Sequence, residues 1–280
     1  MWRSLWQKIA SFLGLSSKPI TMQWHSDWSD YLHNNVDFYR TLKDCDKKIF
    51  EHRVLLFLQT TRVEGGGLTV TNEDCLLVAA SAITPVWAYP KWHYFNLVSV
   101  YLLPQAFNAN LEFNQPDSCI TGMVGTGVMA GKLVLSRPDL HAGFANAQDK
   151  QNVGIHEFVH LIDMADGECD GFPERLKAHA FSIPWFELVK IKVEEIIQGT
   201  SNIPDYGATN RAEFFAVASE YFFERPKLLK EKHPQVYAAL SAFYAQDTAA
   251  IEQAIKPYKN APCLCGSGRK YKRCCMSTDQ

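Results

Sequence analysis

The chain has 280 residues, 47% hydrophobic and 21% charged, with a formal net charge of −2. This composition fits a folded globular protein of one large domain, or one domain with a small appendage, and argues against disorder. The near-neutral charge gives no global pull toward nucleic acid or acidic lipid, and no apolar run reaches the roughly 18 residues of a membrane-spanning helix.

In chain order, "MWRSLWQKIASFLGL" places Trp2, Leu5, Trp6, Ile9, Phe12 and Leu13 at helical spacing, with Arg3, Gln7 and Lys8 between them. It lacks a continuous apolar core and a small-residue cleavage site, so it does not read as a signal peptide. An amphipathic helix on a membrane surface is one reading, and packing onto the rest of the fold or onto a partner is the plainer one. "SSKPITM" is a polar linker, which sets residues 1–30 apart as an N-terminal segment. Residues 36–60 alternate charged and apolar groups at helical spacing, until "EGGG" at 64–67 breaks the pattern. Asn72 is the expected cap of the apolar helix "EDCLLVAASAITPVW", which Pro85 ends or kinks. "WHYFNLVSVYLLP" predicts a strand, and within it Trp92 and Phe95 are candidates for the wall of a cleft or for the core. "TGMVGTGVMAGKLVLS" predicts a turn and then the strand "KLVLS", either an edge for an extended peptide or a purely structural strand.

The stretch "QNVGIHEFVHLIDMADGE" follows, at residues 151–168. On a helix, His156 and His160 share one face a turn apart, so both imidazoles can point at a single ion. Zinc accepts neutral nitrogen ligands in tetrahedral geometry. Glu157, rotated by one residue, reaches the water that the metal activates and not the metal itself. There it takes a proton during attack and delivers it to the leaving amine. Two histidines on an ordinary helix, with an unrelated glutamate, is the competing reading. Asp163, three residues after His160, could orient a ligand histidine through its free ring nitrogen, or simply cap or solvate the helix.

Beyond a loop, "PWFELVKIKVEEIIQG" predicts an amphipathic helix with glycine just past its end. "TNRAEFFAVASEYFFERP" predicts another, stopped by Pro226, and two shorter helical patterns precede "KPYKNAP". A catalytic zinc needs a third protein ligand and an open position. Glu213 is the candidate, with Glu220 seven residues on along the same apolar helix. Burying unpaired carboxylates is costly, so one is expected on a metal and the other in a hydrogen bond to a ligand. Pairing with Arg211 or Arg225 is the alternative. Tyr206, in the loop before this helix, could donate to the oxyanion of a tetrahedral intermediate, or could be packing.

"HEFVHLID" with "YGATNRAEFFAVASEYFFERPKLL" resembles the Mlc titration factor A family of bacterial zinc metallopeptidases, themselves similar to the catalytic domain of anthrax lethal factor. "RVLLFLQ", "EDCLLVAASA", "VSVYLLPQAF" and "GKLVLSRPDL" follow the family's order of elements, so the likeness covers roughly residues 35–250. The resemblance implies zinc ligands His156, His160 and Glu213, catalytic Glu157, and Tyr206 as transition-state stabiliser. It also implies aminopeptidase-like activity and, for the founding member, binding of a glucose-responsive transcriptional repressor.

Cys45, Cys75, Cys119 and Cys169 are scattered, whereas Cys263, Cys265, Cys274 and Cys275 crowd the end of the sequence. This distribution fits free thiols in a reducing compartment, the cytosol, plus one terminal metal cluster. "PCLCGSGRKYKRCC" can close a tetrahedral thiolate site with no open position, which would be structural. So short a segment has little core of its own and would need the ion to fold. It resembles the SEC-C motif, best known at the end of a protein-translocation ATPase, where it binds zinc and engages an export chaperone. Arg269, Lys270, Lys272 and Arg273 form a local basic patch for an acidic protein face or phosphate, or a solvated surface. The tail, and with it the N-terminal segment, departs from the family pattern, so the resemblance does not by itself carry the founding member's repressor over to this chain.

The expectation is an α+β, zincin-like metallopeptidase domain over residues 31–256, mostly helical with a small sheet, followed by a zinc-binding tail over 257–280. One catalytic and one structural zinc, a peptide or protein substrate, and a cytoplasmic location go with it. A repressor, chaperone or ribosome is the expected class of protein partner, and direct nucleic-acid binding is not expected. The alternative is a regulatory binding protein with a latent or vestigial peptidase site.

Overall fold

In the computed structural model the described residues are 23–146, 149–173, 182–250, 259–263, 267–274 and 276. The N-terminal amphipathic stretch, Cys265 and Cys275 lie outside them.

The stretch predicted as helical over 36–60 is two helices, α2 (Asp37–Thr41) and α3 (Asp44–Thr60), preceded by α1 (Ser26–Asn35). Leu32, Tyr39, Ile49, Phe50 and Val54 point inward from these three and enter the main core. β1 (Arg62–Gly65) follows, a short strand where only a helix-breaking "EGGG" had been legible. α4 (Asn72–Ile83) is buried along most of its length, and Ile83 is its last residue before the Thr84–Pro85 pair. Its cap is Thr71, not Asn72: the Thr71 hydroxyl accepts from the Asp74 N–H at 3.3 Å, while the Asp74 carboxylate accepts from the Thr71 N–H at 2.9 Å. A reciprocal pair satisfies two otherwise orphaned donors, which a lone asparagine one residue on does not.

β2 (Leu97–Leu103), β3 (Gly122–Val124) and β4 (Gly131–Ser136) complete a four-stranded sheet in the order β1-β2-β4-β3. The first two pairings are parallel, with Val63 opposite Val100 and Val100 opposite Leu133; β3 alone runs antiparallel, with Met123 opposite Val134. "KLVLS" is therefore an interior strand, hydrogen-bonded on both sides, and offers no free edge. β3 is the edge.

α5 (Arg137–Ala145) leads to the motif helix α6 (Val153–Asp163), of which Gly154 to Asp163 are all buried. α7 (Ser182–Ile197) and α8 (Arg211–Glu224) follow; Pro226 then both stops α8 and opens α9 (Pro226–Lys232), and α10 (Pro234–Tyr244) closes the domain. Proline cannot continue the preceding helix but suits a first turn, so one residue does both. Trp185, Phe215 and Phe243 interlock edge to face, with the Trp185–Phe243 centroids 5.1 Å apart and Phe214 tilted against Trp185. The result is α+β, mainly helical around a small mixed sheet.

In the tail, Pro262 and Lys270 pair antiparallel: the Cys263 N–H donates to the Arg269 carbonyl at 2.7 Å and the Tyr271 N–H to that of Ala261 at 2.9 Å. Cys263 and Tyr271 are buried with Cys45 of α3, and Cys274 and Met276 pack against them. The tail thus borrows its apolar seat from the domain.

Candidate metal centre

α6 begins at Asn152, whose side chain accepts from the Ile155 N–H at 3.0 Å and donates to the Gly143 carbonyl at 3.1 Å. α8 begins in the same manner: the Asn210 side chain accepts from the Glu213 N–H at 2.9 Å. The two caps fix where the first turns start, and so place His156 and Glu213 opposite one another.

One ligand atom each from His156, His160 and Glu213 lies within 4.8 Å of the other two. His156 Nε2 is 3.1 Å from Glu213 Oε2 and 3.1 Å from His160 Nε2, while His160 Nε2 is 3.4 Å from the same carboxylate oxygen. Arg211 and Arg225 make no ion pair with Glu213 among the described residues. Behind the triad, His156 Nδ1 meets Glu220 Oε1 at 2.7 Å, and the other Glu220 oxygen accepts from the Asn152 N–H. Glu220 therefore holds the His156 ring and ties α8 to the start of α6.

Burial lowers the pKa of His156, but the Glu220 charge and the hydrogen bonds from both carboxylates outweigh it and raise the value well above normal. Burial likewise pushes Glu213 up, yet hydrogen bonds from His156 and His160 bring it down to about 2. A nest of carboxylates that draws positive charge into the buried His156 imidazole is equally a nest for a cation. Two nitrogens and one oxygen within 4.8 Å of one another are a donor set that zinc accepts.

Glu157 is 6% exposed, makes no hydrogen bond among the described residues and is raised by burial, opposed by His156 and His160 and reinforced by Glu213 and Glu220. Its carboxylate lies beside Gly122 of β3, where an added Cβ would stand 2.6 Å from Glu157 Oε1. The edge strand can approach the carboxylate this closely only without a side chain there. Tyr206 is 58% exposed, with its ring centroid 6.0 Å from that of His156. Its pKa is raised by burial first and then by Glu213 and Glu157.

Asp163 does not bond His160. Its Oδ2 accepts from the Gly171 N–H at 2.9 Å, while its Oδ1 and His160 Nδ1 are both buried with no hydrogen-bond partner among the described residues. Gly171, at φ +79, lies against the Arg211 backbone, so Asp163 anchors the loop that runs beside the start of α8. Trp92 packs against the main core and Phe95 is exposed; neither borders the cavity in front of Glu157. In the tail, the Ser267 hydroxyl is 3.1 Å from Cys274 Sγ, and Cys263 is buried.

Residues 15–245 match the family described as glucose-regulated metallo-peptidase M90, and residues 260–277 match the SEC-C motif. An uncharacterized protein of Synechocystis sp. is 29% identical over 229 residues, 78% of this chain and 82% of its own length. Mlc titration factor A of Serratia proteamaculans is 32% identical over 205 residues, 70% of this chain and 78% of its own. The protein of the same name from Pectobacterium atrosepticum is 30% identical over 145 residues, 46% and 53% respectively.

Proposed function

The chain belongs to the glucose-regulated metallo-peptidase M90 family, and from that premise we propose that it is a zinc-dependent peptidase, aminopeptidase-like in action. His156, His160 and Glu213 would hold the catalytic ion. The observation that supports this best is the division within one helix turn: three donor atoms converge while Glu157 stays out of the cluster and faces the cavity. Zinc in such a site supplies Lewis acidity toward a carbonyl and toward water. Glu157 takes the proton of the attacking water and passes it to the leaving amine, and its lack of competing hydrogen bonds leaves it free to do both. Tyr206 donates its phenol proton in a hydrogen bond to the oxygen that gains charge as the carbonyl becomes tetrahedral. Glu220 keeps the His156 ring in one orientation throughout. The substrate backbone would pair with β3, the edge strand that lies beside Glu157.

The same proposal divides the chain into the segment 1–30, the peptidase domain 31–256 and the tail 257–280. It assigns a structural zinc to Cys263, Cys265, Cys274 and Cys275. Cysteines used this way imply the reducing cytoplasm, and no helix among the described residues is long and apolar enough to cross a membrane.

A second reading is favoured by the relatives named Mlc titration factor A: a regulatory factor that binds a transcriptional repressor, or a chaperone or ribosome through the tail, with the peptidase site latent. Metal content and hydrolysis of peptide reporters, measured together on wild type and Glu157→Gln, separate the two. The peptidase reading expects about two zinc ions per chain in both proteins and cleavage only in the wild type. Two zinc ions with no cleavage in either protein supports the regulatory reading.

A further inference from the structure

Tyr206 is more than half exposed, and its ring rests beside His156 with 6.0 Å between centroids. A side chain this exposed is placed mainly by its backbone. That backbone is the short helical turn Asp205–Ala208, closed by the Gly207 N–H on the Pro204 carbonyl at 3.0 Å. Beyond the turn the chain enters the Asn210 cap of α8. Ahead of it stand Ile203, buried in the core, and Asn202. Asn202 meets three separate segments. Its side-chain oxygen accepts from His233 Nε2, between α9 and α10, at 2.7 Å, and its side-chain nitrogen donates to the Tyr221 hydroxyl of α8 at 2.9 Å. Its carbonyl accepts from Lys150 Nζ at 2.6 Å, and the same amine lies 4.6 Å from the centroid of the Tyr221 ring.

Lys150, Pro204 and Tyr206 border the same cavity in front of Glu157, so the lysine bridges two of its walls. Lys150 holds φ +66, a left-handed backbone that favours glycine. Such a conformation persists where the surroundings over-determine it. Here they are the two contacts of the amine and the Asn152 cap two residues on. Tyr221 follows Glu220, which holds His156, and Lys150 leads into Asn152, which caps α6 and donates its N–H to Glu220. Asn202 therefore ties the Tyr206 turn to both helices that carry the proposed metal ligands. We propose that Asn202, held by Lys150, is a positioning residue for Tyr206: it fixes the phenol beside the His156 ring, aimed at the oxygen that gains charge. This rests on the peptidase reading and adds to it the residues that aim its hydrogen-bond donor. Hydrogen bonds weaken steeply with angle and distance, so a donor whose turn drifts is largely lost.

Lys150→Met keeps the bulk of the side chain and removes its donor, while Lys150→Arg keeps a donor. Zinc content should be equal in both and in wild type. By hydrogen exchange on the full chain, the amides of the Tyr206 turn should exchange at least about fivefold faster in Lys150→Met, with those of α6 and α8 unchanged. Zinc-loaded protein is then titrated calorimetrically with a phosphinic pseudotripeptide, whose tetrahedral phosphorus mimics the attacked carbonyl. Tyr206→Phe and Lys150→Met should each weaken its binding about tenfold, the double variant no more than Tyr206→Phe alone, and Lys150→Arg should restore most of the loss. Asn202→Ala, which loses the bonds to His233 and Tyr221, should behave as Lys150→Met does. In turnover of a peptide reporter, Lys150→Met should lower kcat about tenfold with KM nearly constant, again without further loss in the Tyr206→Phe background. Losses that multiply in the double variant would make the lysine a general structural support and overturn the proposal, as would unchanged exchange of the turn. A wild type that cleaves nothing overturns the peptidase reading by itself; exchange and analogue binding then decide the link to Tyr206.

Discussion

Glu157 and its neighbours carry the sharpest expectations. Glu157→Gln should retain the catalytic metal and lose hydrolysis by about two orders of magnitude or more, whereas His160→Ala should lose that metal; elemental analysis beside a peptide assay reads both. Gly122→Ala places a methyl where Glu157 Oε1 lies 2.6 Å away. It should cut kcat with KM and zinc content little changed, and equal kcat in the two proteins would remove Gly122 from the site. The histidine pair was legible because spacing on a helix is a property of the sequence alone. Glu213 was legible because a carboxylate on so apolar a helix needs a reason. Gly122 was not, since its role depends on a strand only three residues long, positioned by pairing and not by its own pattern. Asp163 was left open by its spacing, which allows a bond to His160 as well as a capping or solvated role; its carboxylate accepts from the Gly171 N–H. Glu224 gives a pH effect. Its carboxyl is raised from 4.5 to about 8 by burial first and then by the charges of Glu220 and Asp149. An acid with its folded pKa above its unfolded one binds more protons when folded, so it costs nothing below the unfolded pKa and destabilises increasingly as pH climbs through the folded value. Melting temperatures of Glu224→Gln and wild type should therefore coincide near pH 4.5 and separate toward pH 8, with the variant the more stable.

At the level of elements, periodicity located the long helices and missed the short pieces. α6 and α8 are nearly continuous apolar faces and announce themselves. β1, β3 and α5 do not, because three to nine residues hold too few turns or alternations to establish a period. The edge status of a strand is likewise set by order in the sheet, which "KLVLS" cannot state about itself. The helix cap shows the same limit at finer scale: Thr71 and Asp74 qualify as a capping box three residues apart, yet Asn72 stands between them as a plausible rival. Thr71→Ala should lower stability by about 1 kcal/mol, read from the denaturation midpoint. Asn72→Ala should be close to neutral. The reverse order would restore the asparagine as the cap.

Across the whole molecule, the composition was informative about class and silent about arrangement. Nothing in the tail's own residues indicated that Tyr271 and Cys263 would find their apolar surroundings at Cys45, since the contact joins positions remote in the chain. Cys45 is made early and Cys263 and Tyr271 late, with the entire sheet and the metal-holding helices between them. During synthesis, then, this contact can close only after residues 263 and 271 have been made, later than the sheet and the metal-holding helices between them. The tail's seat is therefore among the last contacts of the chain to form.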